Sequence, residues 1–407
     1  FFKMTKLIDN KLYLIIFTSL VARIVATIIF GDKVIDMEWG ILLNNLDNNG
    51  VLSVRDVDGI PVPNIFMPPL YPIFLYVIKY LFGDPTIFLV IIKILQVVFS
   101  IISIYLFYKI LLEFYSQNIS YIGTIIFSFF PLNIYSVSQI SSITIQILLL
   151  NFFLLSFIKI FKGKSLKNLI IFSISSGLLI LLRGEFFVFV IFSIIYLFLS
   201  QKDLKKILLV LFLTILIVSP YLVRNYQTFG VVTITKSVGY NLLKGNNPLS
   251  KVEGIGMFGA VEKIVPSVKT KLDELNALGP INEHDLIKDK ILLDQAITYI
   301  KEDPLRYMSL YFKKALSFIF IDVDSTYPNY YSILNILPKI IISITTVVAI
   351  CVLLKFQINL YNYFIMYYLA NIGLFSFFFI LPRYNLSLLS IQIILSLYLL
   401  KRIKPKL

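Results

Sequence analysis

Cysteine, histidine and tryptophan each occur once in the 407 residues, as Cys351, His284 and Trp39. A single cysteine inside an apolar block excludes an internal disulfide and any CxxC metal or redox site, and Cys351 reads as a small buried hydrophobe. His284 has no second histidine with which to share a metal. It stands in Asn282-Glu283-His284-Asp285, which reads as a helix start with Asn282 as N-cap and Asp285 in the first turn, so a solvated surface histidine is expected. Charge is scarce as well, at 15% of residues against about a quarter in soluble domains. Acids are the rarer sign, 23 against 37 Lys and Arg, for a formal charge of +14. The basic residues fall between apolar blocks and form no soluble patch interleaved with aromatics, which excludes nucleic acid as the partner.

What the chain has in excess is apolar sequence, 58% of its residues, arranged in blocks near the twenty that one helix needs to span roughly 30 Å of hydrocarbon. The first, Leu12–Phe30, follows Lys3, Lys6 and Lys11. It is too long for a secretory signal and no small-residue cleavage site follows, so it reads as a retained anchor. The chain opens on Phe1, and whether Met4 or a residue before Phe1 begins the protein stays open. Further spans are read at Thr86–Tyr108, Asn118–Ser138, Ser142–Phe161, Asn168–Leu182, Glu185–Leu199, Lys205–Val223, Leu334–Leu354, Leu360–Ile380 and Asn385–Leu400, ten in all. The fold class is therefore an all-α polytopic membrane protein, one membrane domain over 1–407.

Lysine and arginine cluster in alternate connections: the start, Lys109, Lys162/Lys164/Lys167, Lys202/Lys205/Lys206, Lys355 and the tail from Lys401. The positive-inside rule makes these cytoplasmic and, with them, both termini of a multi-pass protein of the plasma (inner) membrane. Two stretches without span character, 31–85 and 225–329, then face outward and are the places for soluble chemistry. The first ends in Pro68-Pro69-Leu70-Tyr71-Pro72 and the short apolar run Ile73–Phe82, which suits a helix lying at the interface. Leu305–Ile321 holds Arg306, Lys313 and Lys314. Counting it as a span would put the basic tail outside, so it reads as an amphipathic helix on the outer surface.

Six residues past the first span, Asp36 and then Glu38 place carboxylates just beyond the membrane surface, where a base could meet a lipid head group and a soluble acceptor together. Solvated loop acids are the bland alternative. Arg183, Arg224 and Arg383 all fall at outward ends of spans, either as phosphate ligands, for which the guanidinium fork is suited, or as snorkelling side chains. Arg23 and Lys93 lie inside spans, where a charge usually faces a cavity or a partner. A lipid phosphate or a structural ion pair would serve either one, and Lys93, nearer the outer face, is the better placed for phosphate. Gly245-Asn246-Asn247-Pro248 has the composition of an ordinary turn, with the lining of an acceptor site as the functional alternative.

The run Asp36-Met37-Glu38-Trp39-Gly40, Asn49-Gly50 and Pro68-Pro69-Leu70-Tyr71-Pro72 resembles the first outer loop of polyprenyl-phosphate-sugar glycosyltransferases of the membrane C-type fold, the superfamily of the protein O-mannosyltransferases (glycosyltransferase family 39) and the lipid A aminoarabinose transferase. Phe130-Pro131 through Ser141-Ser142, Leu182-Arg183-Gly184-Glu185, Pro220 to Tyr226 with Phe229-Gly230, Gly239 to Leu242 with Gly245 to Pro248, Ile300 to Pro304, and Pro382-Arg383-Tyr384 follow in the family's order over nearly the whole chain. The resemblance implies an inverting transfer of a sugar from a polyprenyl-phosphate carrier to a lipid, glycan or protein acceptor. It also implies Asp36 and Glu38 as catalytic acids, Arg224, Arg383, Lys93, Arg183 and Tyr384 at the donor phosphate, and Tyr71, Asn246 and Asn247 at the substrate. The sequence identifies no cofactor, and a divalent cation is one that would fit the chemistry. Two positions depart from the family: Ser142-Ile143-Thr144 stands where relatives often carry an acid, and Glu185 follows Gly184 where proline is common. The second outer loop is too short for a large separate domain. A polymerase or ligase of lipid-linked glycans would lack an acid directly after the first span, and a transporter or flippase would show inverted repeats and broken midplane helices.

Overall fold

The computed structural model describes residues 9–35, 37–163, 166–254, 266–325, 332–355 and 357–403. Among them the only strands are Asp56–Val57 and Ile60–Pro61, an antiparallel ribbon turned by Asp58-Gly59, both at positive φ. Everything else that is regular is helix.

Five helices are long and apolar enough to cross a bilayer: α1 (Asn10–Phe30), α4 (Pro85–Leu111), α7 (Ile143–Phe161), α10 (Leu204–Phe229) and α15 (Ile333–Leu353). Among the described residues one pair, α5 (Gln117–Phe129) and α6 (Pro131–Ser138), is long and apolar enough only when taken together, bent by 48° as in a broken span or a re-entrant loop. The sequence reads Asn118–Ser138 as one span. The bend arises because Pro131 has no N–H to continue the helix, and Asn133 Nδ2 donates to the Phe127 carbonyl left over at the break, 2.9 Å away. The remaining expected spans are helices of 15 to 17 residues: α8 (Leu166–Leu182), α9 (Phe186–Gln201), α16 (Leu360–Ser376) and α18 (Leu389–Ile403). The last begins later than read from sequence, because Pro382–Leu386 forms a separate short helix, α17.

Capping fixes the ends. Asp84 accepts from the N–H groups of Thr86 and Ile87 at 2.8 and 2.9 Å, with Pro85 at the first helical position of α4, where its missing donor costs nothing. Asp9 and Asp203 cap α1 and α10 in the same way.

The core centres on α7, which packs against α4 and α8, while α10 rests on α8 and α15 on α18. Packed rings fill it, with Phe157 stacked on Tyr363 at 3.8 Å and Phe107 tilted against Phe127 at 4.5 Å. Where helices come closest the sequence supplies glycine: a Cβ on Gly177 would lie 2.7 Å from the Ile217 side chain. The outer helices α1, α10 and α15 bury little of themselves. Cys351 sits on the open face of α15, so it is not the buried hydrophobe expected from hydropathy, which does not distinguish a neighbouring helix from lipid.

Arg23 is fully buried midway along α1. Its Nε donates to Ser100 Oγ at 2.7 Å, and Nη1 to Ser19 Oγ at 2.5 Å and to the Ser128 carbonyl at 3.0 Å. The guanidinium thus ties α1, α4 and α5 together through neutral oxygens, with Nη2 buried and without a protein partner.

The two non-spanning stretches meet at one end of the bundle. Arg55 pairs with Asp285 at 3.3 Å, Asp285 accepts from the Ile65 N–H at 3.2 Å, and the Lys236 N–H donates to the Ile65 carbonyl at 2.8 Å. The second stretch carries α11 (Val238–Gly245), α12 (Pro266–Asn276), α13 (His284–Glu302) and α14 (Pro304–Ile319), and α11 to α13 share a small apolar core. Here two expectations are corrected. His284 is 2% exposed and bonds Asn276 Oδ1 at 3.0 Å, because α12 folds over the start of α13. The N-cap of that helix is Glu283, not Asn282. Helix α14 buries Tyr307, Leu310, Lys314 and Phe318 and exposes Leu305, Met308, Phe312 and Leu316, the two-faced pattern expected of an interfacial helix.

Candidate active site

Helix α1 stops at Gly31, where a Cβ would lie 2.2 Å from the Thr27 carbonyl and 3.2 Å from Lys93 Nζ. The half-buried Lys93 ammonium therefore stands at the mouth of the first loop, level with the end of α1. Asp32 is pinned just beyond, accepting from the Ile140 N–H at 2.6 Å. Asp36 lies outside the described residues. Glu38 is in the first turn of α2 (Met37–Asn49), which leans on α3 (Leu70–Phe82) through a ring contact between Trp39 and Tyr71 at 4.8 Å. Tyr71 is 1% exposed, and its hydroxyl, like those of Ser141 and Thr144, is buried without a hydrogen-bond partner.

Arg183 follows the end of α8. Its Nε pairs with Glu185 at 2.6 Å, its Nη1 donates to Gln146 at 3.2 Å, and its guanidinium lies 5.4 Å from the centre of the Tyr384 ring. The departure at Glu185 thus has a structural consequence, since it gives Arg183 a carboxylate partner. Tyr384 also feels the charge of Arg383, its exposed neighbour at the start of α17.

Arg224 is held elsewhere. Helix α10 continues past Val223 to Phe229, and Arg224 Nη1 donates to the Asn64 carbonyl at 2.9 Å and to Asn225 at 2.8 Å, over the Phe229 ring at 4.9 Å. It fastens the first loop to α10. Asn246 and Asn247 are buried and turn their amides onto main chain: Asn246 Nδ2 donates to the Leu242 and Phe377 carbonyls, and Asn247 Nδ2 to Leu243. Theirs is the geometry of a turn.

Two lysines that sequence reasoning passed over matter here. Lys244, at the end of α11, has its ammonium 4.5 Å from the Phe379 ring centre. Burial lowers its pKa, the Arg383 charge lowers it further and Glu38 opposes both, so these three charges share one neighbourhood. Lys314 is fully buried and donates to the Gly245 carbonyl at 2.8 Å and to Asn246 Oδ1 at 3.1 Å; burial lowers its pKa to about 7. In sequence, Lys244 looks like an ordinary cation near a helix C-terminus. Lys314 looks like the solvated face of an amphipathic helix, although its spacing from Tyr307, Leu310 and Phe318 puts it on the apolar side.

Beside these groups opens a cavity of about 660 Å³. Its walls are apolar, from α9, α10 and the end of α16, including Val188, Ile215, Val218, Leu222 and Phe375. Its charged lining residues are Arg183 and Glu185, and its polar ones include Thr214, Thr233, Thr235, Ser237, Asn241 and Tyr384. Among the described residues no three His, Cys, Asp or Glu side chains stand together as a metal site, and Asp36 is not among those residues.

Residues 67–223 match the family described as dolichyl-phosphate-mannose-protein mannosyltransferase. The chain superposes on the oligosaccharyltransferase AglB from Archaeoglobus fulgidus, solved in complex with an inhibitory peptide and a dolichol-phosphate, with a TM-score of 0.51, 12% identity and 97% of this chain covered. It superposes equally on the Archaeoglobus fulgidus oligosaccharyltransferase tethered to an acceptor peptide containing the NVT sequon, with a TM-score of 0.52 and 12% identity over 97% of the chain. The chain spans about half of those proteins, 50% in each case. No curated protein matches it.

Proposed function

We propose that this chain, a polytopic membrane protein of the C-type glycosyltransferase fold, transfers a sugar from a polyprenyl-phosphate carrier to a lipid, glycan or protein hydroxyl on the outer face of the membrane. One observation carries the reading: a largely apolar cavity has its charged lining residues, Arg183 and Glu185, together with Tyr384, whose sequence neighbour is Arg383. An isoprenoid tail needs the first and its phosphate the second.

In this mechanism Asp36 takes the proton from the acceptor hydroxyl. The oxygen attacks the anomeric carbon opposite the phosphate, that C–O bond breaks, and the polyprenyl phosphate leaves with the electron pair, so the centre inverts. A carboxylate suits the role because it is ionised at neutral pH. Arg383 meets the charge that grows on the phosphate, whereas Arg183, already paired with Glu185, orients Tyr384. A divalent cation, where one is bound, adds charge stabilisation at the phosphate. Lys93 lies at the level where the sugar would sit.

Leu222→Trp narrows the cavity from a half-buried wall position. Purified protein should turn over at least one polyprenyl-phosphate sugar from a panel assayed with and without chelator. The Leu222→Trp variant should then lose long-chain donors while keeping short-chain analogues. Equal loss of both chain lengths would remove the cavity from the donor path, and inactivity of the wild type toward the whole panel would remove the function.

A further inference from the structure

The region around Lys244 is built more rigidly than a loop lysine requires. Gly245 packs so tightly that a Cβ there would lie 1.8 Å from the Phe378 carbonyl, and Gly254, at φ +71°, would place one 2.8 Å from the Lys244 carbonyl. Lys314 holds the Gly245 carbonyl and Asn246 from beneath, and Asn246 ties the turn to Phe377. These contacts fix the main chain on either side of Lys244 and leave its half-buried side chain lying across Phe379.

Phe379 links it to the cavity. The Phe379 ring lines that cavity and lies 5.9 Å from the Tyr384 ring, which carries Arg183 on its face and follows Arg383 directly in the chain. Three cations thus gather around two aromatic rings at one edge of the cavity. Arg183 has Glu185 as its partner. Lys244 lies on Phe379, Phe379 lies 5.9 Å from Tyr384, and Arg383 is the residue before Tyr384, so Lys244 and Arg383 are like charges on neighbouring groups, with Glu38 of the first loop acting on Lys244 in the opposite sense. Two such cations repel each other across a medium of low polarity, and an anion placed between them turns that repulsion into attraction.

We infer that Lys244 is a donor-binding residue, forming with Arg383 a two-cation clamp for the phosphate head group of the lipid carrier, on the cavity edge marked by Phe379 and Tyr384. The inference rests on the function proposed above. It adds a ligand from the second outer loop, so that the donor head group is held between that loop and α17, with Glu38 of the first loop facing it. An acid opposite the clamp also gives the released polyprenyl phosphate a reason to depart, since a second anion near Glu38 is disfavoured.

The test compares wild type with Lys244→Met, Lys244→Gln and Lys244→Arg, each checked for an unchanged thermal midpoint in detergent. Direct binding of polyprenyl phosphate is measured alongside the apparent Michaelis constant for the sugar donor, with inorganic phosphate as the head group without a tail. Both neutral variants should weaken polyprenyl-phosphate binding about tenfold or more and raise the donor constant by a similar factor, the scale of one lost charge-assisted contact. Turnover at saturation should fall as well, because the same phosphate gains charge as it leaves, and Lys244→Arg should retain most of the affinity. Unchanged lipid-phosphate binding in a folded Lys244→Met protein overturns the clamp. Inorganic phosphate bound as tightly as the lipid, and weakened to the same degree, overturns the assignment to a lipid head group. A wild type inactive on every donor, yet binding polyprenyl phosphate through Lys244, supports the clamp while the proposed reaction fails.

Discussion

The Lys314 ammonium donates to the Gly245 carbonyl across 69 residues of sequence, at 2.8 Å and with no exposed surface. It joins the two-faced helix α14 to the turn that fixes Lys244, and its charge is the variable part of that joint. An unfolded lysine titrates near 10.4, whereas burial brings Lys314 down to about 7. Between those values the unfolded chain binds the extra proton, so stability rises with pH through that window and is lost as pH falls toward 7. The thermal midpoint in detergent should therefore climb from pH 7 to pH 9.5 in the wild type, and the climb should be smaller in Lys314→Met. Parallel curves for the two proteins would show that Lys314 is charged throughout.

Gly245→Ala should be severe. The new Cβ would meet the main-chain carbonyl of Phe378 at 1.8 Å, and a carbonyl in a packed turn cannot step aside, so a loss on the order of 3 kcal/mol is expected. Gly163→Ala is the comparison: it sits at φ +80° with nothing within 4 Å of the added atom, and should cost only the left-handed strain, about 1 kcal/mol. Equal midpoints for the two variants would mean that the turn relaxes.

Asp36→Asn keeps size and polarity and removes basicity, so turnover should fall by about a hundredfold or more, the usual range for general base catalysis, while polyprenyl-phosphate binding survives. Glu38→Gln should cost less turnover, because its charge faces Lys244. Near-normal turnover in Asp36→Asn together with collapse in Glu38→Gln would move the base to Glu38.

Arg224→Ala should behave as a loop mutation. Its guanidinium holds the Asn64 carbonyl, so the first outer loop should become more sensitive to protease while donor affinity changes by less than the clamp variants. A donor constant raised as far as in Lys244→Met would return Arg224 to the phosphate site.

Orientation is open to cysteine labelling in a Cys351→Ser background. Lys301→Cys should react with an impermeant reagent from outside and Lys202→Cys only after permeabilisation, because the positive-inside rule puts the lysine-rich ends in the cytoplasm. External reaction at residue 202 would invert the topology.

The membrane class, the helical segments and the two-faced character of α14 are set by the sequence alone, because hydrocarbon thickness and helical period act within a single segment. The motif order also pointed to the right fold, while of the three arginines read at span ends, Arg183, Arg224 and Arg383, only the structure shows Arg183 and Arg383 beside Tyr384 and Arg224 on the Asn64 carbonyl. Which side of each helix meets protein was decided only by tertiary packing. Lipid and core are equally apolar to a hydropathy scale, so Cys351 looks buried in sequence and lies open, while His284 and Lys314 look solvated and lie inside. The same holds for Lys244, whose nearness to Arg383 comes from two segments that are distant in the chain and are brought together by the contact between α11 and the end of α16. Charges separated by that much sequence interact only once the surrounding helices have excluded water and fixed their distance, and no local pattern records that distance.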